Sequence, residues 1–277
     1  MYLFGDIGAT RTRLFVTKHF APPKNWVEFT TPRSYSDFLS QIKKTVTQLG
    51  LQTNLKGACV GLPGLLDLKS EKMTISQLNS WINKPIKNDL SKIFGITTII
   101  KNDAELGAIG EASSGAGMGF RRIAYITLST GVGGALVIKS QKGFESFPSE
   151  PGRHIISWAR SESALSIAHT KAWQAQSSGN GIRSHFGFVP EELTDPASWR
   201  DIRESILVGL FNVACLWLPE IIIIGGGLTV NPKLGVTKLL SGWRELKPFL
   251  PLLPKLKKFR LNESVLSGAI YYLRKQK

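Results

Sequence analysis

Two short glycine-containing turns have the residue types needed to hold phosphate. The first, at 8–10, reads Gly-Ala-Thr, and the second, at 130–134, reads Thr-Gly-Val-Gly-Gly. Each joins two apolar segments, within 2–18 and 123–140. Small residues leave backbone N–H groups and hydroxyls open to phosphate oxygens. One glycine turn is common between ordinary strands. Two such hairpins, one opening each half of the chain, predict a duplicated domain that grips a polyphosphate from both sides, as in a nucleotide-dependent phosphotransferase.

Two aspartates stand where phosphoryl transfer needs carboxylates. Asp6 ends the first apolar segment, where it could hold Mg²⁺ directly or through water. Asp103 follows another apolar segment, and a carboxylate at the end of an α/β strand faces the crevice where ligands bind. Such a carboxylate can orient the attacking hydroxyl and accept its proton, which makes Asp103 the candidate base. Both residues also have a structural interpretation, because Asp6 could cap its own turn and Asp103 could cap a helix starting at Ala104.

Hydroxyl and guanidinium groups surround the same turns. Thr10, Thr12 and Thr130 could donate hydrogen bonds to phosphate. Strand alternation puts Arg11 and Arg13 on one face, opposite the two threonines beside them. Either arginine could equally be a solvated strand residue, so their role stays open.

Three glycines at 225–227 follow a buried-looking apolar segment. They would let the chain come close to a planar ligand, although a tight turn or a helix C-cap produces the same pattern. No Ser-His-Asp order is evident among the histidines. No Cys-x-x-Cys pair occurs in the sequence, so zinc is not expected.

Strands alternate with helices along the chain, which predicts an α/β fold with mixed sheets. Besides the two hairpins, the sequence predicts a last strand after a proline-rich stretch and a loop at 177–187. The other predicted strands are 26–30, 56–60, 97–100 and 220–224, and the predicted helices are 36–49 (capped by Ser36), 85–94 (stopped by Gly95), 104–114, 162–176, 199–218 and 263–274.

The composition is compatible with an α/β protein of two domains but does not by itself predict one. A chain of 277 residues with 42% hydrophobic and 20% charged residues suits two modest soluble domains. No apolar run approaches the ~20 residues that span a bilayer, and Asp6 argues against a signal peptide, so we expect a cytoplasmic protein without a membrane partner. Cys59 and Cys215 lie in apolar runs, which predicts buried, reduced thiols.

The net charge of +15 is the outlier of the composition, and much of it lies at 255–260 and 274–277. Such a surface could attract nucleic acid, anionic lipid or a nucleotide substrate. No helix-turn-helix, zinc-finger or RNA-binding signature accompanies it. We therefore expect no specific nucleic-acid partner, and a solvated basic surface is the favoured interpretation.

In this order, the motifs resemble the ROK family of sugar kinases, within the actin-like ATPase superfamily. Segment 6–13 (DIGATRTR) is similar to the family's first phosphate motif, with Ala9 replacing one glycine. Segment 61–67 (GLPGLLD) resembles the part that lines the sugar cleft, and 102–104 with 110–111 resembles the catalytic stretch. Segments 129–134 and 219–227 resemble the second phosphate motif and the adenosine-side strand and turn.

The resemblance implies two actin-like (ribonuclease H-like) domains around a central cleft, 1–115 and 116–262, with helix 263–277 packing on the first. It implies ATP and Mg²⁺ as cofactors and a hexose or N-acetylhexosamine as substrate, while a homodimer stays open. It implies that the nucleotide and its magnesium are bound by Asp6, Gly8, Ala9, Thr10, Arg11, Thr12, Thr130, Gly131, Gly133, Gly225, Gly226 and Gly227. It implies that the sugar acceptor is bound by Gly64, Asn79, Asn102, Asp103, Glu150, Arg153 and His154, with Asp103 as the catalytic base.

The sugar side departs from the family pattern. Where the family has Gly-Glu-x-Gly-His, segment 149–154 reads Ser-Glu-Pro-Gly-Arg-His, so Arg153 takes the histidine's place and His154 follows it. A shift of one residue would instead turn His154 inward, and both arrangements stay open. The family's Asn-Leu-Pro-Gly-Trp appears as Gln-Leu-Asn-Ser-Trp at 77–81, and its Cys-rich zinc segment is absent. The alternative function is a non-catalytic sensor of sugar or nucleotide that uses its basic surface for a partner.

Overall fold

The computed structural model describes residues 1–20, 26–50, 55–67, 69–157 and 163–275. Contacts divide the chain into two compact units, one formed by Met1–Gly110 with Glu263–Lys277 and the other by Glu111–Asn262. The first unit thus contains both the beginning and the end of the chain.

The first unit is built around a five-stranded mixed sheet. Its order is β3-β2-β1-β4-β7, in which β1, β2 and β3 are antiparallel neighbours and β1, β4 and β7 are parallel. A separate hairpin joins β5 to β6. In chain order the elements are β1 (Tyr2–Ile7), β2 (Arg11–Thr17), β3 (Val27–Thr30), α1 (Tyr35–Gln48), β4 (Gly57–Leu62), β5 (Gly64–Leu66), β6 (Met73–Ser76), α2 (Ile86–Phe94), β7 (Thr98–Asn102) and α3 (Asp103–Ser114).

The second unit repeats the same sheet plan. Its order is β10-β9-β8-β11-β12, again with three antiparallel strands followed by parallel pairs. Its elements are β8 (Arg122–Leu128), β9 (Val132–Ser140), β10 (Gly143–Ser149), α4 (Ala164–Thr170), α5 (Trp173–Ser177), α6 (Gly179–Phe186), α7 (Pro196–Trp217), β11 (Ile221–Gly225), α8 (Val236–Glu245) and β12 (Lys255–Lys258). The chain then returns to the first unit as α9 (Ser264–Lys275). The predicted α/β class with mixed sheets is confirmed.

Strand β1 is covered by helices on both faces, which determines where Asp6 points. Leu3 and Ile7 pack in one core with side chains of α1 and α2. Tyr2 and Phe4 pack in another core with side chains of α3 and α9. Since side chains alternate along a strand, Asp6 lies on the α3 and α9 face.

Two glycines let α3 and α9 pack closely. A Cβ atom on Gly110 would collide with the carbonyl oxygen of Ser264, and one on Gly268 would collide with that of Leu106. Backbone therefore contacts backbone across this helix pair. That contact brings the beginning of α9 beside the sheet of the first unit.

The predicted loop at 177–187 is wrong, because most of it forms α6. The Ser178 hydroxyl accepts a hydrogen bond from Gly181 N at 3.0 Å and caps the helix. Gly187 ends it in a left-handed conformation, with φ of 79°. Serine and glycine suggested a loop, but here they occupy capping positions and a close contact, since a Cβ on Gly181 would collide with Gln174 O.

Other boundaries also differ. The predicted helix 162–176 is divided into α4 and α5, and its first residue lies outside the described part of the chain. The N-cap of α1 is Ser34, whose hydroxyl accepts from Asp37 N at 3.4 Å, rather than Ser36. Residues 276–277 of the predicted C-terminal helix are likewise not described.

The two cysteines have different environments. Cys59 is fully buried in β4, and burial raises the pKa of its thiol. Cys215 is exposed on α7, so the prediction of a buried thiol is wrong there. The apolar run around Cys215 belongs to a helix that buries only one side. None of the helices in the described ranges is both long and apolar enough to cross a membrane.

Candidate nucleotide and acceptor sites

The first glycine turn is shaped by Thr31, at the end of β3, which the sequence analysis missed. Thr31 N donates to Thr10 O at 2.9 Å, and its hydroxyl donates to Gly8 O at 2.8 Å. Gly8 N in turn donates to Arg11 O at 2.8 Å. The carbonyl oxygens of the turn are thus held from one side. The sequence signal that could have identified Thr31 is its position directly after the predicted strand 26–30.

Thr12 lies in the interior rather than at the turn. Its side chain is fully buried, and its hydroxyl lies 2.9 Å from the Thr31 hydroxyl. Because the Thr31 proton goes to Gly8 O, Thr12 must be the donor of this bond. We therefore leave Thr12 out of the proposed phosphate contacts.

The other residues of this turn are more accessible. Ala9 is half-buried, whereas Thr10 and Arg11 are exposed. The Arg11 guanidinium lies 3.6 Å from the Glu28 carboxylate at an exposed edge of the sheet. Thr10 is therefore the hydroxyl at this turn that a phosphate could reach.

Asp6 forms an ion pair with its cross-strand neighbour. The β1–β2 register places it opposite Arg13, and Arg13 Nη2 donates to Asp6 Oδ2 at 2.5 Å. The Asp6 side chain is only 15% exposed. The guanidinium also donates through Nη1 to Oε1 of Glu263 at 2.8 Å, just before α9. Glu263 could not be predicted as a partner, because 250 positions separate it from Arg13 and no local pattern joins them.

The carboxylate of Asp6 suits magnesium chemically. Among the described residues, no group of three or more His, Cys, Asp or Glu side chains could hold a metal ion. Mg²⁺, however, usually keeps several waters and takes one or two carboxylates together with substrate phosphates. Arg13 donates to Oδ2 of this carboxylate, so a cation bound to Asp6 would have to share the carboxylate with the guanidinium.

Asp103 is positioned by Asn102 at the junction of β7 and α3. Asn102 Oδ1 accepts from Glu105 N at 3.1 Å, and Asn102 Nδ2 donates to Gly64 O at 3.0 Å. Asp103 Oδ1 accepts from Ala104 N at 2.7 Å. Asn102 thus closes the open end of the helix, the task that the sequence analysis offered as the structural interpretation of Asp103. It also ties the Asp103 region to β5.

Gly64 begins the β5–β6 hairpin with φ of 152°, and a Cβ there would collide with the carbonyl of Ile75. The position therefore needs glycine for packing as well as for conformation. Asn79 is exposed, in a short 3-10 turn at Asn79–Trp81.

The second glycine turn is held by the beginning of α6. Gly179 N donates to Ser129 O at 2.7 Å, and Asn180 N donates to Thr130 O at 3.1 Å. Gly131 is buried, whereas Thr130 and Gly133 are half-buried. The helix missed by the sequence analysis is therefore the support of this turn.

The glycines after β11 divide into two kinds. A Cβ on Gly225 would collide with the Tyr125 hydroxyl, and one on Gly226 would collide with Leu128 O. Gly226 also has φ of 88°, which favours glycine. Gly227, in contrast, is exposed with no atom within 4 Å of such a Cβ, so it offers open space to a ligand.

Residues 150–154 turn His154 into the fold and Arg153 outward. Arg153 Nε lies 3.4 Å from Glu150 Oε2, with its side chain 55% exposed. The ring centroids of His154 and Trp173 are 5.2 Å apart. Burial lowers the pKa of His154. Burial also raises the pKa of Glu150, an effect that Arg153 opposes.

The chain is similar to known sugar kinases in sequence and in fold. The chain is 26% identical over 255 residues to the N-acetylgalactosamine kinase AgaK of Shewanella sp. strain ANA-3, covering 83% of this chain and 82% of that one. A ROK family glucokinase from Streptomyces griseus, solved with glucose and AMPPNP, aligns with a TM-score of 0.73 at 20% identity over 98% of both chains.

A ROK family transcriptional regulator, a homologue of the E. coli MLC protein, has the same fold. It aligns with a TM-score of 0.73 at 16% identity, over 99% of this chain and 78% of that one. The family model itself matches residues 4–245, most of the sequence. The chain therefore belongs to the ROK family.

Proposed function

We propose that this protein is an ATP-dependent sugar kinase that phosphorylates a hydroxyl of a hexose or an N-acetylhexosamine. The observation that carries the proposal is Asp103, held at the end of β7 by the bonds of Asn102 to Gly64 O and Glu105 N. A fixed carboxylate at such a strand end is what an attacking hydroxyl requires for orientation and for removal of its proton.

The nucleotide contacts are assigned to both glycine turns. Gly8, Thr10, Thr130 and Gly131 would hold phosphate oxygens through N–H and hydroxyl groups. Asp6 would hold Mg²⁺, directly or through water. The bound cation would neutralise charge on the phosphates during transfer.

The acceptor contacts are assigned to Asn102 and Glu150. The bonds to Gly64 and Glu105 leave Asn102 one amide N–H for a sugar hydroxyl. Glu150 would accept from another hydroxyl. The kinase relatives support the choice of a hexose or an N-acetylhexosamine, and the altered residues at 77–81 and 149–154 leave the particular sugar to experiment.

A coupled assay of ADP release over a sugar panel tests this function. The panel contains glucose, mannose, galactose and the corresponding N-acetylhexosamines, each with Mg-ATP. We expect one sugar, or a small group, to stimulate ADP release well above the rate without acceptor. A folded protein that releases no ADP with any of these sugars would contradict the proposal.

Alanine substitutions at Arg153 and His154 test which residue serves the acceptor. We assign a sugar hydroxyl to Nε2 of His154, which is buried and has no hydrogen-bond partner among the described residues. We therefore expect His154→Ala to raise KM for the sugar by roughly 3- to 10-fold, the equivalent of one lost hydrogen bond. We expect Arg153→Ala to leave KM within about twofold. Steady-state kinetics on the preferred sugar measures both. If neither variant changes KM, residues 150–154 do not form the acceptor site.

A non-catalytic sensor is the second candidate. Two observations favour it: the chain shares its fold with a transcriptional regulator, and Arg153 pairs with the carboxylate of Glu150 that a kinase would use for sugar. Calorimetry showing sugar binding without phosphorylation at any Mg-ATP concentration would favour the sensor over the kinase.

A further inference from the structure

Arg13 is shared between two carboxylates of the first unit. It donates through Nη2 to Asp6 at 2.5 Å and through Nη1 to Glu263 Oε1 at 2.8 Å. The three side chains are between 15% and 27% exposed, so water screens these bonds only in part. Two of the five guanidinium N–H groups thus connect the carboxylate beside the first glycine turn to the beginning of α9.

The Glu263 carboxylate has an unused acceptor that is shielded from water. Its second oxygen, Oε2, is buried and has no hydrogen-bond partner among the described residues. A carboxylate that accepts one N–H from a guanidinium can accept a second in a bidentate pair, which is the stronger geometry. Glu263 could therefore hold Arg13 by itself.

An arginine on Asp6 is an obstacle to a cation. A guanidinium and Mg²⁺ carry like charge and both need the same carboxylate. For Asp6 to engage the cation of a nucleotide, Arg13 must loosen its hold without being left unpaired in a half-buried place. Glu263 already contacts Arg13 and has a second oxygen without a partner among the described residues.

From these contacts, and resting on the proposed kinase function, we propose that Glu263 is a positioning residue for the magnesium site. It takes over Arg13 when Asp6 engages the magnesium of the bound nucleotide. We call this transfer of Arg13 from Asp6 to Glu263 the handover. It uses Oε2 of Glu263 to form a bidentate Arg13–Glu263 pair, and it releases the Asp6 oxygen that Arg13 held. The start of α9, at the far end of the sequence, would thereby set the affinity of the first phosphate motif for its cation.

The handover predicts a magnesium-specific defect in Glu263→Gln. The amide keeps the shape but offers only one acceptor oxygen and no charge, so Arg13 stays on Asp6. We expect the Mg²⁺-dependent gain in ADP affinity to fall about tenfold, as when a partner of a metal ligand is lost. ADP affinity without metal should stay within about twofold. In kinase assays the Mg²⁺ concentration for half-maximal rate should rise similarly, with kcat at saturating Mg²⁺ little changed.

Calorimetric titration of ADP, with and without Mg²⁺, gives the binding readout independently of turnover. A double-mutant cycle tests whether Glu263 acts through Arg13: in an Arg13→Met background, Glu263→Gln should change the magnesium gain less than twofold. Glu263→Asp, which keeps the charge, should restore part of the gain and serves if the Gln variant folds poorly. Glu71→Gln is the matched control, because Glu71 belongs to the same unit but pairs with a different cation, Lys87.

The outcomes separate this inference from the proposed function. If the wild type shows neither magnesium-dependent ADP binding nor ADP release, the kinase proposal fails, and the handover fails with it. If the wild type shows both and Glu263→Gln retains the full magnesium gain, only the handover is refuted. An equal loss in the Arg13→Met background would likewise overturn it, since Glu263 would then act without Arg13.

Discussion

Asp103→Asn should lower kcat for the preferred sugar by at least about 100-fold, within the 10²- to 10⁴-fold range of a general base. The amide has nearly the same shape and can still accept the bond from Ala104 N, which is 2.7 Å long in the wild type. It cannot take up the proton of the attacking hydroxyl. Nucleotide binding, measured by calorimetry with Mg-ADP, should stay within about twofold.

Asp195→Asn is the matched control for that variant. Asp195 also stands at the start of a helix, where it accepts from Ser198 N at 2.8 Å and caps α7. Asparagine caps helices about as well as aspartate, so turnover should be unchanged. Near-normal turnover in Asp103→Asn would refute the assignment of the base. Loss of nucleotide binding together with activity would indicate structural damage instead.

Glu111→Ala should cause the largest loss of stability, about 3 kcal/mol or more in the free energy of unfolding. The Glu111 side chain is fully buried in α3 and accepts three backbone N–H groups. Its donors are Ala116 N at 2.7 Å, Leu261 N at 2.9 Å and Arg260 N at 3.1 Å. A buried donor left without an acceptor costs about 1–3 kcal/mol, and these three donors are part-buried, so we expect each to contribute near the lower end of that range. Urea unfolding followed by tryptophan fluorescence measures the loss.

Two further variants show how much of the stability lost in Glu111→Ala comes from the hydrogen bonds of Glu111. Glu111→Gln keeps one acceptor oxygen and the volume, so its loss should be smaller than that of the alanine variant. Glu145→Ala removes an exposed glutamate from β10 and should change the free energy of unfolding by less than about 0.5 kcal/mol. Equal stabilities for Glu111→Ala and Glu145→Ala would show that the backbone bonds to Glu111 contribute nothing net.

The sequence by itself determined the framework of both units. Apolar segments around the two glycine turns predicted the β1–β2 and β8–β9 hairpins, and apolar runs predicted β4, β7 and β11. Gly95 was correctly predicted to end α2, since it adopts φ of 68° there. These features depend on side-chain alternation and on backbone conformations that few residues adopt, both of which operate over neighbouring residues. The same local rules located Asp6 and Asp103 at strand ends.

The tertiary structure alone decided which residues meet across long stretches of sequence. Arg13 meets Glu263 across 250 positions, and Glu111 meets Leu261 across 150. Composition misled at α6, because serine and glycine at 178–187 cap and pack a helix whose contact partner is the turn at 129–131. Half-buried and buried polar groups must find partners wherever the folded chain brings them. Periodicity in the sequence predicts which residues turn inward, but the path of the whole chain selects the partners that they meet there.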